Sequence, residues 1–490
     1  MLNPRSMRGK NRCEGLGRTV FLFALCLGLG CGCADHDTPN LVIIVFDALR
    51  PDHVGAYGYE RDTTPRIDLL AHDAILFEEV NTSAAFTLPS MATLFTGLNP
   101  IAHNVRRHMD PDGLQDHLED RFETLAESLR ARGYATGAAV SNSLFLYRFG
   151  FDQGFDLFDA GQRRDAEPTT DIALSWLKEQ NQDQPFFLWI HYIDPHWPYN
   201  APPDFSRRFL HPDGGQYQAL LDDFKKSRVR GDQIYFENRL DPDGVKSGIA
   251  EYDNEIAYAD SQMGRIIEYL KSQGLYDNTL IAVVSDHGES LGEHGLFFAH
   301  SFYLYNEIQR CAWVLKPPHG REPVRVKHPV RLLDFYPTVL AMLDMDPAQT
   351  PEGKNLNFLW TGTGEHGAFP DLPAYSESEP RYRTEQGGYR YPSRRRAYKE
   401  GNVGKWRMIQ SNGYKLISIP GEGWELYDLT RDPLELDNIA EEQPDVLHTL
   451  SRSLTGFLEK DAGEPPGSPR PLNDEWEKAL QEIKAMGYGN

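Results

Sequence analysis

The chain has 490 residues and a formal charge of −22, with 40% hydrophobic and 25% charged side chains, an ordinary globular composition that excludes disorder, collagen and a coiled coil. So negative a balance opposes a general nucleic-acid or anionic-membrane binder by long-range repulsion, so no nucleic-acid partner is expected. No apolar run reaches the roughly 20 residues that a spanning helix requires, which rules out a polytopic membrane protein.

In chain order, residues 1–18 are basic and lack an apolar block; an apolar stretch, Val20 to Gly30, follows, then Cys31, Gly32, Cys33 and Ala34. This layout is that of a secretory signal, and its small-residue-then-Cys ending resembles a bacterial lipoprotein signal. Residues 1–34 are therefore expected to direct export to the periplasm or cell surface, with Cys31 or Cys33 acylated and the membrane met only through that lipid. Only Cys311 lies in the body of the chain, among apolar neighbours, which excludes an internal disulfide and a Cys-rich zinc site and predicts a buried small hydrophobe.

Asn40 opens LVIIVF, a continuous apolar run ending at Asp47. Phe186 to Ile190 ends at His191, and Leu280 to Val284 ends at Ser285-Asp286-His287-Gly288. Such runs read as strands buried on both faces. Thr87 to Gly97 reads as a short helix with Pro89 near its start and Gly97 at its end. Phe122 to Arg130 and Asn254 to Leu270 carry apolar residues at helical spacing. Alternating strands and helices predict an α/β fold with a central mixed, mostly parallel sheet, whose ligands bind beyond the carboxyl ends of the strands.

The expected organisation is a catalytic domain over 35–370, with residues 201–250 as an insertion or lid, then a smaller C-terminal α+β subdomain over 371–490. In the latter, Trp406 to Ile419 reads as a hairpin turning at Asn412-Gly413, and Asn473 to Met486 as a closing helix. Residues 381–407 hold nine Arg or Lys against Glu385 and Glu400. That run is either a solvated loop or a basic rim for an anionic substrate, with Arg394 and Arg395 as candidate contacts.

Thr87 stands at a helix N-terminus, where unpaired N–H groups favour an anion. Taken alone it is either a helix cap or a nucleophile. Asp47 and Asp286-His287, each following a buried strand, add two carboxylates and an imidazole. Together with the hydroxyl they form a metal site with an open face. The imidazole favours Zn²⁺ or Mn²⁺, with Ca²⁺ the alternative.

The stretches NLVIIVFDALRPDHVGAYGY, FTLPSMATLFTGLNPIAHNV, HYIDPHWPY, SDHGESLGEHG and ELYDLTRDPLELDNIA occur in this order over about 400 residues, and the chain resembles the sulfatase family of the alkaline phosphatase superfamily. The resemblance implies that Asp47, Thr87, Asp286 and His287 form the metal site, that His196 contacts the transferring group, and that His300 takes the place of a Lys that assists the leaving oxygen. The sequence departs from the family where the chemistry is decided. Sulfatases place Cys or Ser first in C/S-x-P-S/A-R and oxidise it to formylglycine; here the position is Thr87 and the Arg is Met91. Threonine would give a ketone, so no formylglycine is expected. Ala48 replaces the second of the paired Asp residues, and Asp286-His287 stands for Asp-Asn.

These changes move toward phosphate-transferring relatives. They imply hydrolysis of phosphate mono- or diesters through a covalent Thr87 intermediate, the substrate being a small anionic ester with a sugar or lipid head group. Sulfate-ester hydrolysis without formylglycine, head-group transfer and, last, a non-catalytic binder are the alternatives. One metal is favoured over a second ion on Asp194, His196 and His300, because two-metal relatives separate the first two by four positions rather than two. His103, His191 and His294 read as structural or as supports behind the ligands, His294 orienting neighbouring loops.

Overall fold

Seven consecutive residues, NLVIIVF, make the central strand β1 (Asn40–Phe46), and all seven are buried, as a strand covered on both faces requires. The computed structural model describes residues 38–459 apart from 107–115, 147–148, 162, 182, 212–214, 227–239, 362–370, 380–381, 384–388 and 391–404. The export segment 1–34, Arg394, Arg395 and the segment Asn473 to Met486 lie outside the described residues.

The other strands of the main sheet are β2 (Ile75–Phe77), β3 (Ala135–Val140), β4 (Leu157–Ala160), β5 (Phe186–Tyr192), β6 (Thr279–Ser285), β7 (Trp313–Lys316) and β8 (Val324–Val326). Their spatial order is β8-β2-β7-β6-β1-β5-β3-β4. β1 runs parallel to β5 and β6, β3 is parallel to β4 and β5, and β7 is antiparallel to β6 and β2, so the sheet is mixed and mostly parallel, as expected. Register matters most here. Phe46 pairs with both Tyr192 and Ser285, so three adjacent strands release the chain at one level and Asp47 and Asp286 emerge side by side.

Alternate side chains of β1 enter two cores. Val42, Ile44 and Phe46 pack with Trp176 of helix Ala166–Glu179 and Ile256, Met263 and Ile266 of helix Pro242–Ser272. Leu41, Ile43 and Val45 pack with Leu88, Met91 and Phe95 of helix Thr87–Thr96 and Leu125 and Leu129 of helix Leu125–Arg130. The last of these starts three residues after the expected Phe122, because Thr124 and Glu127 form a reciprocal capping box. Helix Pro242–Ser272 is longer than the expected 254–270: the Asp241 side chain accepts from the Asp243 and Gly244 amides, and Pro242 suits a first turn. The stretch read as an insertion therefore holds helix Gly215–Lys225 and the first turns of the long helix. Cys311 is fully buried, and among the described residues no helix is long and apolar enough to cross a membrane.

A second sheet joins β9 (Ala374–Glu377), β10 (Arg407–Ser411), β11 (Tyr414–Ile419) and β12 (Gly423–Asp428) in that order, all antiparallel. Asn412 and Gly413, at φ of 50° and 78°, make the turn between β10 and β11 that the dipeptide foretells. Helix Pro444–Leu458 lays Leu450 and Leu454 on this sheet. β9 ties the sheet to the segment entering the Thr87 helix: Glu377 bridges Ala84, and its carbonyl accepts from the Ala85 amide.

The same Glu377 is a fully buried carboxylate bonded by Arg106, Lys405 and the Tyr375 hydroxyl. Burial alone would raise its pKa, but Arg106 and Lys405 hold it well below the usual range. Glu377→Ala would remove the carboxylate that two buried cations share. It should cost about 3–5 kcal/mol in urea unfolding followed by tryptophan fluorescence; a loss below about 1 kcal/mol would show that the cluster does not secure the junction.

Candidate active site

Asp47 and Asp286 leave neighbouring strands at the same level, and both are fully buried. Each carboxylate has one oxygen engaged by the protein and one that is not. Asp47 Oδ2 accepts from Asn142 Nδ2 at 2.7 Å and lies 3.1 Å from His191 Nε2. Asp286 Oδ1 accepts from the amides of Ala48 and His287, at 3.1 and 3.0 Å. The other two oxygens, Asp47 Oδ1 and Asp286 Oδ2, are buried without a hydrogen-bond partner. They flank His287 Nε2 at 3.7 and 3.3 Å.

His287 Nδ1 lies 2.9 Å from the Gly288 carbonyl, which can only accept. This contact assigns the proton to Nδ1 and leaves a lone pair on Nε2. Two orphaned anionic oxygens and one imidazole lone pair, within 4.8 Å of one another, form the one cluster of three or more His, Cys, Asp or Glu ligand atoms found among the described residues. The donor set fits a divalent cation, which would relieve the repulsion between the carboxylates. Burial raises Asp47 to about 6 despite the pull of His287 and Asn142. Asp286 is raised too, by burial and then by the charge of Asp47.

Thr87 completes the group. It is fully buried at the first position of its helix, with Phe86 as the capping residue, so its side chain is not the cap. Thr87 Oγ1 instead lies 3.3 Å from His287 Nε2. Ser90, one turn on, donates to the Asp286 carbonyl at 2.6 Å and ties the helix to the metal-site loop. Gly97, at φ of 67°, ends the helix in the left-handed region. Met91, where sulfatases carry Arg, packs in the apolar core.

The rings of His287 and His300 lie 4.2 Å apart, and those of His300 and His196 4.8 Å apart, so both sequence-predicted histidines border the site. His196 Nδ1 contacts the Trp197 carbonyl. The turn is clamped by Arg163, whose Nη2 donates to the carbonyls of His196 and Pro198 at 2.7 and 3.0 Å. Asp194 is placed differently. Its Oδ1 accepts from the Ala166 amide at 2.9 Å, at the start of helix Ala166–Glu179, and it does not join His196 and His300 in a three-ligand group among the described residues. A second ion on those three residues has no gathered donor set here.

His103 bonds Thr93 and the Val105 amide, and His294 sits between Glu307 and the Glu435 carbonyl; neither touches the carboxylate pair. His191 supports the pair from behind, on the outer oxygen of Asp47, within the structural or supporting role expected of it. Sequence reasoning also passed over Asn142, Arg163 and Glu289. Only Glu289 carried a signal, its place within SDHGES.

Comparison with known proteins shows the family and the fold. The profile of the Sulfatase family matches residues 39–345, and that of the N-sulphoglucosamine sulphohydrolase C-terminal region matches 292–460. An uncharacterized sulfatase of Schizosaccharomyces pombe is 24% identical, over 85% of this chain and 93% of its own. The N-acetylglucosamine-6-O-sulfatase of Bacteroides thetaiotaomicron is 22% identical, over 87% and 88%. The crystal structure of the phosphonate monoester hydrolase of Agrobacterium radiobacter superposes with a TM-score of 0.69 at 22% identity, over 88% of this chain and 100% of that one, and shows a shared fold.

Asp286→Asn should abolish stoichiometric binding of a divalent ion, measured by elemental analysis after dialysis. Asn142→Ala, which removes one of the two partners of the outer oxygen of Asp47 and leaves His191, should weaken binding about 10–100-fold in a chelator competition. Unchanged affinity in both variants would show that the ion binds elsewhere.

Proposed function

This chain belongs to the sulfatase family of the alkaline phosphatase superfamily and is an ester hydrolase, sulfuric or phosphoric, and from that premise we propose that it cleaves phosphate mono- or diesters through a covalent ester on Thr87. The observation that carries the reading is the Thr87 hydroxyl, buried at a helix N-terminus and 3.3 Å from the imidazole of an Asp-Asp-His metal group.

Thr87 cannot become formylglycine, so the hydroxyl itself is the nucleophile. Asp47, Asp286 and His287 would hold the divalent ion, Zn²⁺ or Mn²⁺ before Ca²⁺; when bound, it supplies the positive charge that favours the ionised hydroxyl and offsets charge on the nonbridging oxygens. Thr87 Oγ gives up its proton and bonds to phosphorus while the ester oxygen leaves on the opposite side. Water then opens the phosphothreonine, and Thr87 Oγ regains a proton as phosphate departs. His196 and His300, packed beside His287, begin as neutral rings: the Thr87 proton passes to a ring lone pair and from there to the leaving oxygen, and in the second half a ring takes a proton from the entering water and returns it to Thr87 Oγ. Burial holds His300 down at about 4, against the pull of Asp286, so its ring starts the cycle neutral at neutral pH.

The names of the sulfatase relatives favour a second reading, hydrolysis of a sulfate ester on a sugar, in which water opens a Thr87 sulfate directly. A sulfated threonine lacks the second hydroxyl by which a formylglycine hydrate expels sulfate, and for that reason phosphate stands first. In either case the substrate is a small anionic ester with a sugar or lipid head group. We place the enzyme outside the cytoplasm, anchored by a lipid on Cys31 or Cys33.

Purified protein supplied with Zn²⁺, Mn²⁺ or Ca²⁺ should turn over aryl phosphate or bis-aryl phosphate. Thr87→Ala should lower kcat by about 10³-fold or more with metal content unchanged. Turnover of aryl sulfate alone, or a fully active Thr87→Ala, would contradict the reading.

A further inference from the structure

One carboxylate beside the site has no place in the metal group. Glu289 is fully buried, and the bonds it makes are divided between its two oxygens. Oε2 accepts from the Trp197 amide at 3.1 Å and from the Tyr199 hydroxyl at 3.5 Å. Oε1 lies 2.9 Å from His300 Nδ1. The main chain at this point is pinned as well, since the Glu289 carbonyl accepts from Arg50 Nη1 at 3.1 Å. Neither end of the residue is free to turn.

We propose that Glu289 is a positioning residue that fixes the tautomer and orientation of His300, so that His300 meets the bound ester with its Nε2 lone pair. A carboxylate facing Nδ1 takes the hydrogen bond of an Nδ1–H and leaves Nε2 as the ring nitrogen that accepts and returns a proton. The anchor on the Trp197 amide is what makes the arrangement rigid, because it stops Oε1 from swinging away. Glu289 acts through His300 and contacts no reacting atom. The role rests on the Thr87 reading above, which supplies the reaction in which His300 exchanges its proton.

The geometry also predicts what an isosteric change does. In Glu289→Gln the side chain keeps its shape but has one acceptor in place of two. Its amide oxygen pairs with the Trp197 N–H, which turns the NH₂ toward His300 Nδ1. His300 must then accept at Nδ1 and carry its proton on Nε2, the reverse of the native state. A misplaced tautomer at an otherwise intact site lowers turnover by about 10²–10⁴-fold.

The test compares Glu289→Gln, His300→Gln and the double variant of the full chain, with aryl phosphate as substrate. Metal content and unfolding midpoint are checked for each, and the His300 imidazole is read by nitrogen-15 NMR. The expected result is that Glu289→Gln lowers kcat by about 10² or more with little change in KM, moves the His300 proton from Nδ1 to Nε2, and adds little to His300→Gln in the double variant. Wild-type kcat in Glu289→Gln, an unchanged tautomer, or a double variant that multiplies the two single losses would overturn the proposal. An active Thr87→Ala overturns the reading and this role together, whereas an inactive Thr87→Ala with multiplying losses overturns this role alone.

Discussion

Two carboxylates, Asp47 and Asp286, are brought together where water does not reach, each with one oxygen bonded by the protein and one without a partner. Their approach is a product of strand register: Phe46 and Ser285 pair across two parallel strands, and the residues that follow them point out of the same end of the sheet. Like charges in such a place repel strongly and lose hydration besides. The protein offsets part of this with Asn142, His191 and two main-chain amides, all spent on the outer oxygens. What remains on the inner side is a demand for positive charge, shared with the His287 lone pair.

The surroundings are arranged about that demand. The Thr87 helix brings its hydroxyl to His287 and is fastened by Ser90 to the main chain of Asp286. The second sheet holds the segment that enters this helix, through Glu377 and its buried cations. Behind the metal-site loop, Arg163 and Glu289 grip the 196–198 turn by its carbonyls and its amide respectively. Thr87, the Asp-Asp-His group and the flanking histidines thus sit on separate segments, and each segment is pinned by a polar contact within the protein.

Much of the fold could be read from the sequence because its central strands are continuous apolar runs. The runs ending at Asp47 and at Asp286-His287 identify both the sheet and the residues beyond its edge. Gly97 and Asn412-Gly413 announce a helix end and a hairpin turn through the positive φ that they accept readily. Asp241 before Pro242 marks the start of the long helix, but the charged stretch around it masks the apolar periodicity that would extend the helix back from Asn254. Strand Ala135–Val140 is built of small residues, ATGAAV, with no apolar run to flag it or Asn142 beyond its end. The likeness to two-metal relatives groups Asp194 with His196 and His300, while the two-residue gap speaks against it; a backbone amide 28 residues away takes one oxygen of the Asp194 carboxylate, which no local pattern reveals. Glu289 and Arg163 matter through contacts with a turn far along the chain, and such contacts leave no periodic trace.

On the function proposed above, the buried carboxylate pair holds a divalent ion beside a threonine that acts as it stands, without oxidation. The most direct measurement is anomalous diffraction at the zinc or manganese edge, from crystals grown with the ion and inorganic phosphate. The expected result is a single peak in bonding contact with Asp47 Oδ1, Asp286 Oδ2, His287 Nε2 and the unmodified Thr87 hydroxyl, with phosphate lying against it. A peak on other residues, or a Thr87 oxygen standing apart from both ion and phosphate, would contradict it.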